Sequence, residues 1–408
     1  MTETPEITQE ISELVEQVFV IEQITWGGPK QAYLVRFEGQ LKEDSLKAHK
    51  SLSEALKDKN LTPLFLEGKD GLQVVKIIRG FPKPKKSNPW INLIMFLLTV
   101  ASMLYTGALY AYDGPDLGPG ASTFGVFLDN PAAGLPFTLA LLGILLAHEF
   151  GHYFAARINK SDVTLPYFLP FPFSAFGTLG AFIQLKSPPR NKRELLDIGL
   201  AGPLAGFIVA IPVLLLGLSL SEVERIPLFI RLGDSFVLEG NSLVYLASKF
   251  MVFREWLPTP MSYGELSPLV YWVRYIFTGL PTPLGGMDVI LHPVAWAGWA
   301  GLLVTALNLI PAGQLDGGHL LYSLFGKKAS RMVPVILITL LGLGFFWSGW
   351  WLWAFIIFMI GRVHAQPLDQ ITKLDSTRRT LAILGLILFV LVFIPIPLRA
   401  VTGPYFGP

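Results

Sequence analysis

The stretch Gly134-Leu-Pro-Phe-Thr-Leu-Ala-Leu-Leu-Gly-Ile-Leu-Leu-Ala-His148-Glu149-Phe-Gly-His152 decides how this 408-residue chain folds. Together with the Tyr-Phe-Ala-Ala that follows, it is long and apolar enough for one membrane-spanning helix, which needs about 20 residues. Ionisable side chains at membrane depth are costly and therefore indicate function. His148 and His152 are four residues apart, so both lie on one face of the helix and can hold one metal ion. The sequence therefore predicts a membrane protein with a metal site inside a span.

The composition agrees with a membrane protein. Apolar residues make up 52% of the chain and charged residues 15%, whereas a soluble domain has about 25% charged residues; the mean hydropathy is +0.50. The net charge of +2 and the lack of a basic stripe argue against a nucleic-acid partner. The absence of cysteine excludes disulfides and thiolate metal ligands. The acidic start, Met1-Thr-Glu-Thr-Pro-Glu6, is not typical of a cleaved signal or a transit peptide.

Residues 1–82 are predicted to form a small soluble α+β domain. Apolar residues recur at helical spacing up to residue 18, and two pairs of strands flank a second helix. The predicted strands are 18–25, 31–38, 62–67 and 72–78. His49 stands alone among lysines, and we expect it to be a solvated helix residue. A basic, proline-rich linker, residues 83–89, leads to the membrane part.

The remaining sequence predicts a multi-pass α-helical membrane protein of about six to seven spans. Residues 90–325 contain the predicted spans 90–111, 134–156, 197–219 and 289–311. Further membrane helices are expected in 326–408. An even number of crossings must separate the last two, so 220–288 is expected to be an external, partly interfacial insertion. Residues 332–361 form either one long tilted helix or a hairpin of two short helices, followed by a last span at 380–394.

Loop charges predict the orientation. The linker and the loop after the second span are rich in lysine and arginine, whereas the loop between the first two spans contains Asp113, Asp116 and Asp129 and no basic residue. Because basic loops remain on the cytosolic side, the N-terminal domain is expected to be cytosolic.

The metal site needs more than the two histidines. A catalytic zinc takes three protein ligands and an open position, and Glu149 occupies the place of the general base in the His-Glu-x-x-His pattern of metalloproteases. Asp316 is a candidate third ligand because the following glycines let the backbone approach a metal; it could instead cap the helix that begins at residue 317. The other candidates are His292, His319 and His364. Of these, His292 and His364 lie near predicted span ends and are expected to be interfacial or loop residues.

The motif His148-Glu-Phe-Gly-His152 with Asn308-Leu-Ile-Pro-Ala-Gly-Gln-Leu-Asp316-Gly resembles the paired motifs of the site-2 protease family of intramembrane zinc metalloproteases. The resemblance covers residues 90–325 and implies that they contain a three-helix catalytic core. Thr164-Leu-Pro-Tyr-Phe-Leu-Pro170 and Gly177-Thr-Leu-Gly180 are similar to the family's loop between the first two core helices. The soluble N-terminal module makes the chain most similar to the cyanobacterial and chloroplast branch, which includes the ethylene-dependent gravitropism-deficient and yellow-green proteins of plants.

The resemblance implies a role for each matching residue. His148, His152 and Asp316 would hold one Zn²⁺, Glu149 would be the general base and then the proton donor to the leaving amine, and Asn308 would contact the substrate backbone or the developing oxyanion. Asn308 could instead make an interhelical hydrogen bond. The implied substrate is a protein that crosses the bilayer, commonly once, and is cleaved in regulated intramembrane proteolysis. The implied location is a plasma, inner or thylakoid membrane; the sequence indicates no oligomeric state.

The segment after the second predicted span could bind the substrate. Residues 177–186 alternate in polarity and could form strands that dip into the membrane, where a free edge would capture an unwound substrate by β-addition.

Three other functions were compared with the zinc protease. A membrane di-iron enzyme would need more clustered histidines than the six present. A metal transporter would place polar residues along several spans, and a non-cleaving metal-binding protein would not need an intact Glu149.

Overall fold

The N-terminal part of the chain is a four-stranded antiparallel sheet with two helices. The computed structural model describes residues 5–28, 31–68, 71–80, 87–112, 114, 122–231, 235–360, 366–403 and 405–406. The first elements are α1 (Pro5–Val18), β1 (Phe19–Trp26), β2 (Val35–Leu41), α2 (Ser45–Leu56), β3 (Leu61–Glu67) and β4 (Gln73–Arg79). The strand order is β1-β2-β4-β3. Strand β2 begins four residues later than predicted, because the Gly27 amide donates to the Leu34 carbonyl and closes a longer connection.

Three long apolar helices follow. The next elements are α3 (Pro89–Tyr110), α4 (Thr123–Asp129), a 3₁₀ turn (Pro131–Gly134), α5 (Leu135–Ile158), the hairpin strands β5 (Tyr167–Pro170) and β6 (Thr178–Phe182), and α6 (Lys192–Ser219). Among the described residues, the helical stretches 89–110, 131–158 and 192–219 are long and apolar enough to cross a membrane. Helix α6 begins five residues before the predicted span because the Asn191 side chain accepts from the amides of Arg193 and Glu194 and caps it.

The second half alternates short strands and helices. Its elements are β7 (Glu222–Arg225), β8 (Phe229–Ile230), β9 (Ser235–Glu239), α7 (Leu243–Phe253), α8 (Pro268–Thr278), β10 (Met287–Ile290), α9 (Pro293–Asn308), α10 (Asp316–Phe325), a 3₁₀ segment (Gly326–Met332), α11 (Val333–Leu343), α12 (Gly349–Ile360), α13 (Ser376–Val392), β11 (Leu398–Thr402) and β12 (Tyr405–Phe406). Antiparallel pairs join β7 to β10, β8 to β12 and β9 to β11. The C-terminal strands therefore return to the 220–288 insertion.

Some predicted boundaries change in this half. The predicted span 289–311 contains the 16-residue helix α9, which is too short to count among the long apolar helices. Its first residues instead belong to β10, and the His292 side chain caps the helix start. Residues 332–361 form two helices, α11 and α12, so the single-helix alternative is wrong. Residues 81–86, Asp113, Asp116 and His364, which the sequence predictions used, lie outside the described residues.

Helices α5, α6 and α9 pack together at glycines. A Cβ atom on Gly298 of α9 would meet the backbone of Leu214 in α6, and one on Gly217 would meet Ala295. Such small residues let helices approach closely in a membrane. The resulting core buries apolar side chains of all three helices, among them Leu141, Ile144, Leu214, Trp299 and Leu302. This packing brings the C-terminal half of α5, the N-terminal half of α6 and the end of α9 to one place.

Candidate metal centre and catalytic cavity

The predicted metal ligands come from two helices. His148 and His152 lie one turn apart on α5, and their Nε2 atoms are 3.2 Å apart. Asp316, the first residue of α10, directs Oδ2 to within 3.5 Å of His148 Nε2 and 3.3 Å of His152 Nε2. The helix cap is Leu315, so Asp316 faces the histidines and is not the capping residue. The structure thus brings Asp316 next to two histidines that precede it by 168 and 164 positions in the sequence. The three residues form a group able to hold one metal ion.

The donor set fits zinc. A tetrahedral zinc with bonds of about 2.0–2.2 Å to nitrogen and oxygen holds its ligand atoms about 3.3–3.6 Å apart. The three separations of 3.2, 3.3 and 3.5 Å match this spacing. Two imidazole nitrogens and one carboxylate oxygen are also typical ligands of a catalytic zinc site that keeps a fourth position open.

A hydrogen bond orients the second histidine. His152 Nδ1 donates to the Ile198 carbonyl oxygen of α6 at 2.7 Å, which leaves the Nε2 lone pair facing His148 and Asp316. Metal-bound histidines commonly donate their other ring N–H to a carbonyl or carboxylate, and that partner fixes the ring and its tautomer. This contact could not be predicted from the sequence, because every residue has a backbone carbonyl and the sequence does not show which one will face the histidine.

Glu149 and Asn308 lie at the same site. Glu149 is 3% exposed, and its Oε2 has no hydrogen-bond partner among the described residues. An unpaired buried carboxylate oxygen is unusual, and here it lines the cavity that contains the three candidate ligands. Asn308, the last residue of α9, places Nδ2 3.2 Å from His148 Nε2. Both candidate catalytic residues therefore adjoin the metal group.

The cavity has a volume of about 630 Å³, within the range of roughly 300–1,000 Å³ of ligand sites. One wall is the extended segment 181–189 that begins in β6, and Gln366 contributes from the segment before α13. His319, one turn after Asp316, also lines the cavity. His292 does not; its Nδ1 accepts from the Val294 amide at the start of α9.

Three glycines of α6 make room for histidines. A Cβ atom on Gly202 would lie 2.0 Å from His152 Nε2, and one on Gly206 would lie 3.1 Å from His148 Cβ. A Cβ atom on Gly199 would lie 2.9 Å from His319 Cβ. The distances show that Gly202 in particular determines the space available to a metal-site ring.

The expectation for His49 is wrong. The side chain is 7% exposed, its Nε2 lies 3.2 Å from the Pro63 carbonyl oxygen, and its ring packs edge-on against Phe65. The reason is an extra contact on β3: residues 368–372, which we call the docking segment, pair in parallel with Phe65. The neighbouring lysines predicted that His49 faces solvent. The side chain instead lies on the side of α2 that faces this sheet edge.

Comparisons with known proteins agree with the site. The model of peptidase family M50 matches residues 136–346. The probable chloroplastic zinc metalloprotease EGY1 of Arabidopsis thaliana is 28% identical over 397 residues, which cover 89% of this chain and 66% of the relative. EGY1 of Oryza sativa subsp. japonica is 30% identical, covering 78% and 53%, and EGY2 of Oryza sativa subsp. indica is 28% identical, covering 75% and 48%. The chain thus spans about half to two thirds of the length of these curated relatives. No solved structure matches it.

Proposed function

Since the chain belongs to peptidase family M50, we propose that it is an intramembrane zinc metalloprotease that hydrolyses peptide bonds of membrane-spanning proteins. The observation that carries this proposal is the convergence of His148, His152 and Asp316 beside Glu149, whose Oε2 has no partner among the described residues. His148, Glu149 and His152 lie on α5, which is long and apolar enough to cross a membrane. The proposed ligands are these three residues, and the proposed catalytic residues are Glu149 and Asn308.

Each residue has a distinct task in the proposed reaction. When bound, the zinc ion supplies Lewis-acid activation of water and of the scissile carbonyl. Glu149 accepts the proton of the attacking water on its free Oε2 and then gives it to the leaving amine. Asn308 presents an N–H donor to the oxygen on which negative charge develops. The bond from His152 Nδ1 to the Ile198 carbonyl keeps the ring in position throughout.

The substrate is proposed to bind as an extended strand. Strand β6 pairs with β5 on one side, and the chain continues from it along the wall of the catalytic cavity. A peptide bond inside a helix is shielded, so an unwound segment must be held in extended form before cleavage; a free strand edge does this with main-chain hydrogen bonds. We propose that substrates are single-span membrane proteins, cleaved in regulated intramembrane proteolysis.

The variant Glu149→Gln tests the proposal. It keeps the three ligands but removes the group that accepts the proton, so cleavage of a single-span reporter in proteoliposomes should fall by about 10²–10⁴-fold, the usual contribution of a general base. Bound zinc, measured by elemental analysis, should remain at one ion per chain. The matched control is Glu224→Gln, at an exposed position on β7, and should cleave normally. Undiminished cleavage by Glu149→Gln would refute the mechanism.

We also propose a multi-pass topology with a cytosolic N-terminal domain and an external 220–288 insertion. The chain lacks cysteine, so single cysteines report position without a background signal. In sealed, right-side-out vesicles, a membrane-impermeant maleimide should label Glu265→Cys in the insertion and should label Lys50→Cys in α2 only after permeabilisation; both positions are exposed. Labelling of both before permeabilisation would contradict the topology.

A further inference from the structure

A second cavity lies away from the metal site, between helices α8, α11 and α13. Its volume is about 440 Å³, and we call it the apolar groove. Its lining includes Ile276, Phe277, Ile336, Leu340, Val390 and Phe393. Ile310 and Pro311 also line it, and these two residues lie between Asn308 and Asp316 in the chain. The groove therefore touches the far side of the segment that carries two residues of the proposed catalytic site.

One polar side chain in this groove has no partner. Asn241 is 4% exposed, and among the described residues neither its Nδ2 nor its Oδ1 has a hydrogen-bond partner. The backbone before it is held in place, because the Gly240 amide donates to the Pro397 carbonyl and the Gly240 carbonyl accepts from Trp299 Nε1. Buried amide groups are nearly always hydrogen-bonded. A buried side-chain amide without a partner therefore indicates a ligand that supplies the missing bond.

The lining of the groove selects the kind of ligand. Its side chains are apolar apart from Asn241 and Thr339, and the Thr339 hydroxyl already donates to the Val335 carbonyl. A hydrocarbon chain suits such a lining, and Val335 and Val390 at the rim are more than half exposed. In a bilayer, the groove is thus open to lipid.

We propose that the apolar groove binds one acyl chain of a membrane glycerolipid, whose ester carbonyl accepts a hydrogen bond from Asn241 Nδ2. The hydrocarbon fills the space between α8, α11 and α13, and the ester lies beside Asn241. The bound chain packs against Ile310 and Pro311 and so supports the loop between Asn308 and Asp316. This inference does not depend on the proposed protease activity.

A photoactivatable lipid tests the proposal. The probe is a phosphatidylcholine with a diazirine in one acyl chain, added to the full-length protein in detergent micelles, and the labelled peptides are identified by mass spectrometry. We expect labelling within 268–278, 333–343 and 376–392. Ile336→Trp should abolish most of it, because Ile336 lines the groove. Ile338→Trp is the matched control, since Ile338 lies on the same helix, is exposed and does not line the groove. Equal labelling of the two variants would mean ordinary surrounding lipid and would overturn the proposal.

A second variant, Asn241→Leu, does not depend on the fit of a larger side chain. It removes an amide that is unpaired without lipid, so the melting temperature of the delipidated protein should rise. Affinity for the probe should fall by about fivefold, the worth of one neutral hydrogen bond. A lower melting temperature, or unchanged affinity for the probe, would show that Asn241 has another role and would count against the proposal.

Discussion

At the scale of single residues, the proposed metal site requires a residue without a side chain at position 202. Gly202 faces His152, and a Cβ atom there would lie 2.0 Å from the Nε2 that faces Asp316. Since the ring is held by its bond to Ile198, it cannot move aside without losing that bond. We predict that Gly202→Ala lowers zinc affinity by about 10–100-fold, as is usual when the support of a ligand is lost. Competition with a fluorescent chelator measures this.

The control for Gly202→Ala is Gly143→Ala, on the helix that carries both histidines. A Cβ atom at Gly143 would meet nothing within 4 Å, and alanine favours a helix over glycine by about 1 kcal/mol. Gly143→Ala should therefore bind zinc as the wild type does. If Gly202→Ala also binds zinc normally, the glycine is not needed for the geometry of His152.

The residues of the site differ in how far the sequence could predict them. The spacing of His148 and His152 fixes their shared face, and the glycines after Asp316 mark a close approach, so both features are local. The Ile198 carbonyl and the room at Gly202 arise where α5 meets α6, and a contact between two helices has no local pattern. His49 was misjudged for the same reason: the segment that covers its sheet edge lies more than 300 residues later in the chain.

At the scale of elements, the strand edge beside the cavity is the feature that a substrate would use. Gln184 is turned towards the hairpin base, because its amide and carbonyl both bond to Thr164. Peptide groups alternate in direction along an antiparallel strand, so the Ile183 amide points the other way. We predict that Ile183→Pro, which removes this donor, lowers cleavage of a single-span substrate by about two- to tenfold, the worth of one hydrogen bond.

Ile183→Ala is the matched control for the strand prediction. It shortens the side chain but keeps the backbone donor, so cleavage should remain closer to the wild-type rate than in Ile183→Pro. Zinc content should be unchanged in both variants, because Ile183 is not one of the candidate ligands. Wild-type cleavage by Ile183→Pro would exclude capture by β-addition at this edge.

The helices illustrate which elements a sequence specifies well. The long apolar runs of α3, α5 and α6 predict their spans to within a few residues, since burial in a membrane requires length and apolarity and little else. The start of α9 is harder to predict from the sequence. The stretch 289–311 is largely apolar, but its first two residues belong to β10 and pair with β7. Pairing between strands that are about 60 residues apart depends on the tertiary fold and overrides the local pattern.

At the scale of the whole molecule, the docking segment joins the N-terminal sheet to the catalytic core. On one side, the Phe65 amide donates to the Leu368 carbonyl and the Gln370 amide donates to the Phe65 carbonyl. On the other side, the Leu368 amide donates to the Pro189 carbonyl, and Pro189 lines the catalytic cavity. The salt bridge between Lys192 and Glu67, at 3.2 Å, adds a direct contact. The N-terminal sheet thus contacts the wall of the cavity through the docking segment.

This junction is expected to respond to pH through His49. Burial lowers the pKa of His49 from its usual value, and Arg190 acts in the same direction, whereas Asp369 and the bond to the Pro63 carbonyl oppose the shift. Because the folded state resists protonation, the unfolded segment binds more protons below about pH 6.5. The stability that a neutral His49 provides is therefore complete above that pH and declines as the pH falls towards the lowered value.

We predict that the amides of Phe65 and Gln370 exchange faster with solvent deuterium at pH 5.5 than at pH 7.5, after correction for the intrinsic effect of pH on exchange. In His49→Gln, which can still donate to Pro63 but does not titrate, this extra change should largely disappear. His292→Gln is the control, since His292 caps α9 outside the N-terminal sheet and its loss should leave the pH response intact. An equal response in wild type and His49→Gln would assign the pH sensitivity to another group. The predicted difference would show that the protonation of a histidine in the N-terminal domain weakens the contact between this domain and the docking segment beside the catalytic cavity.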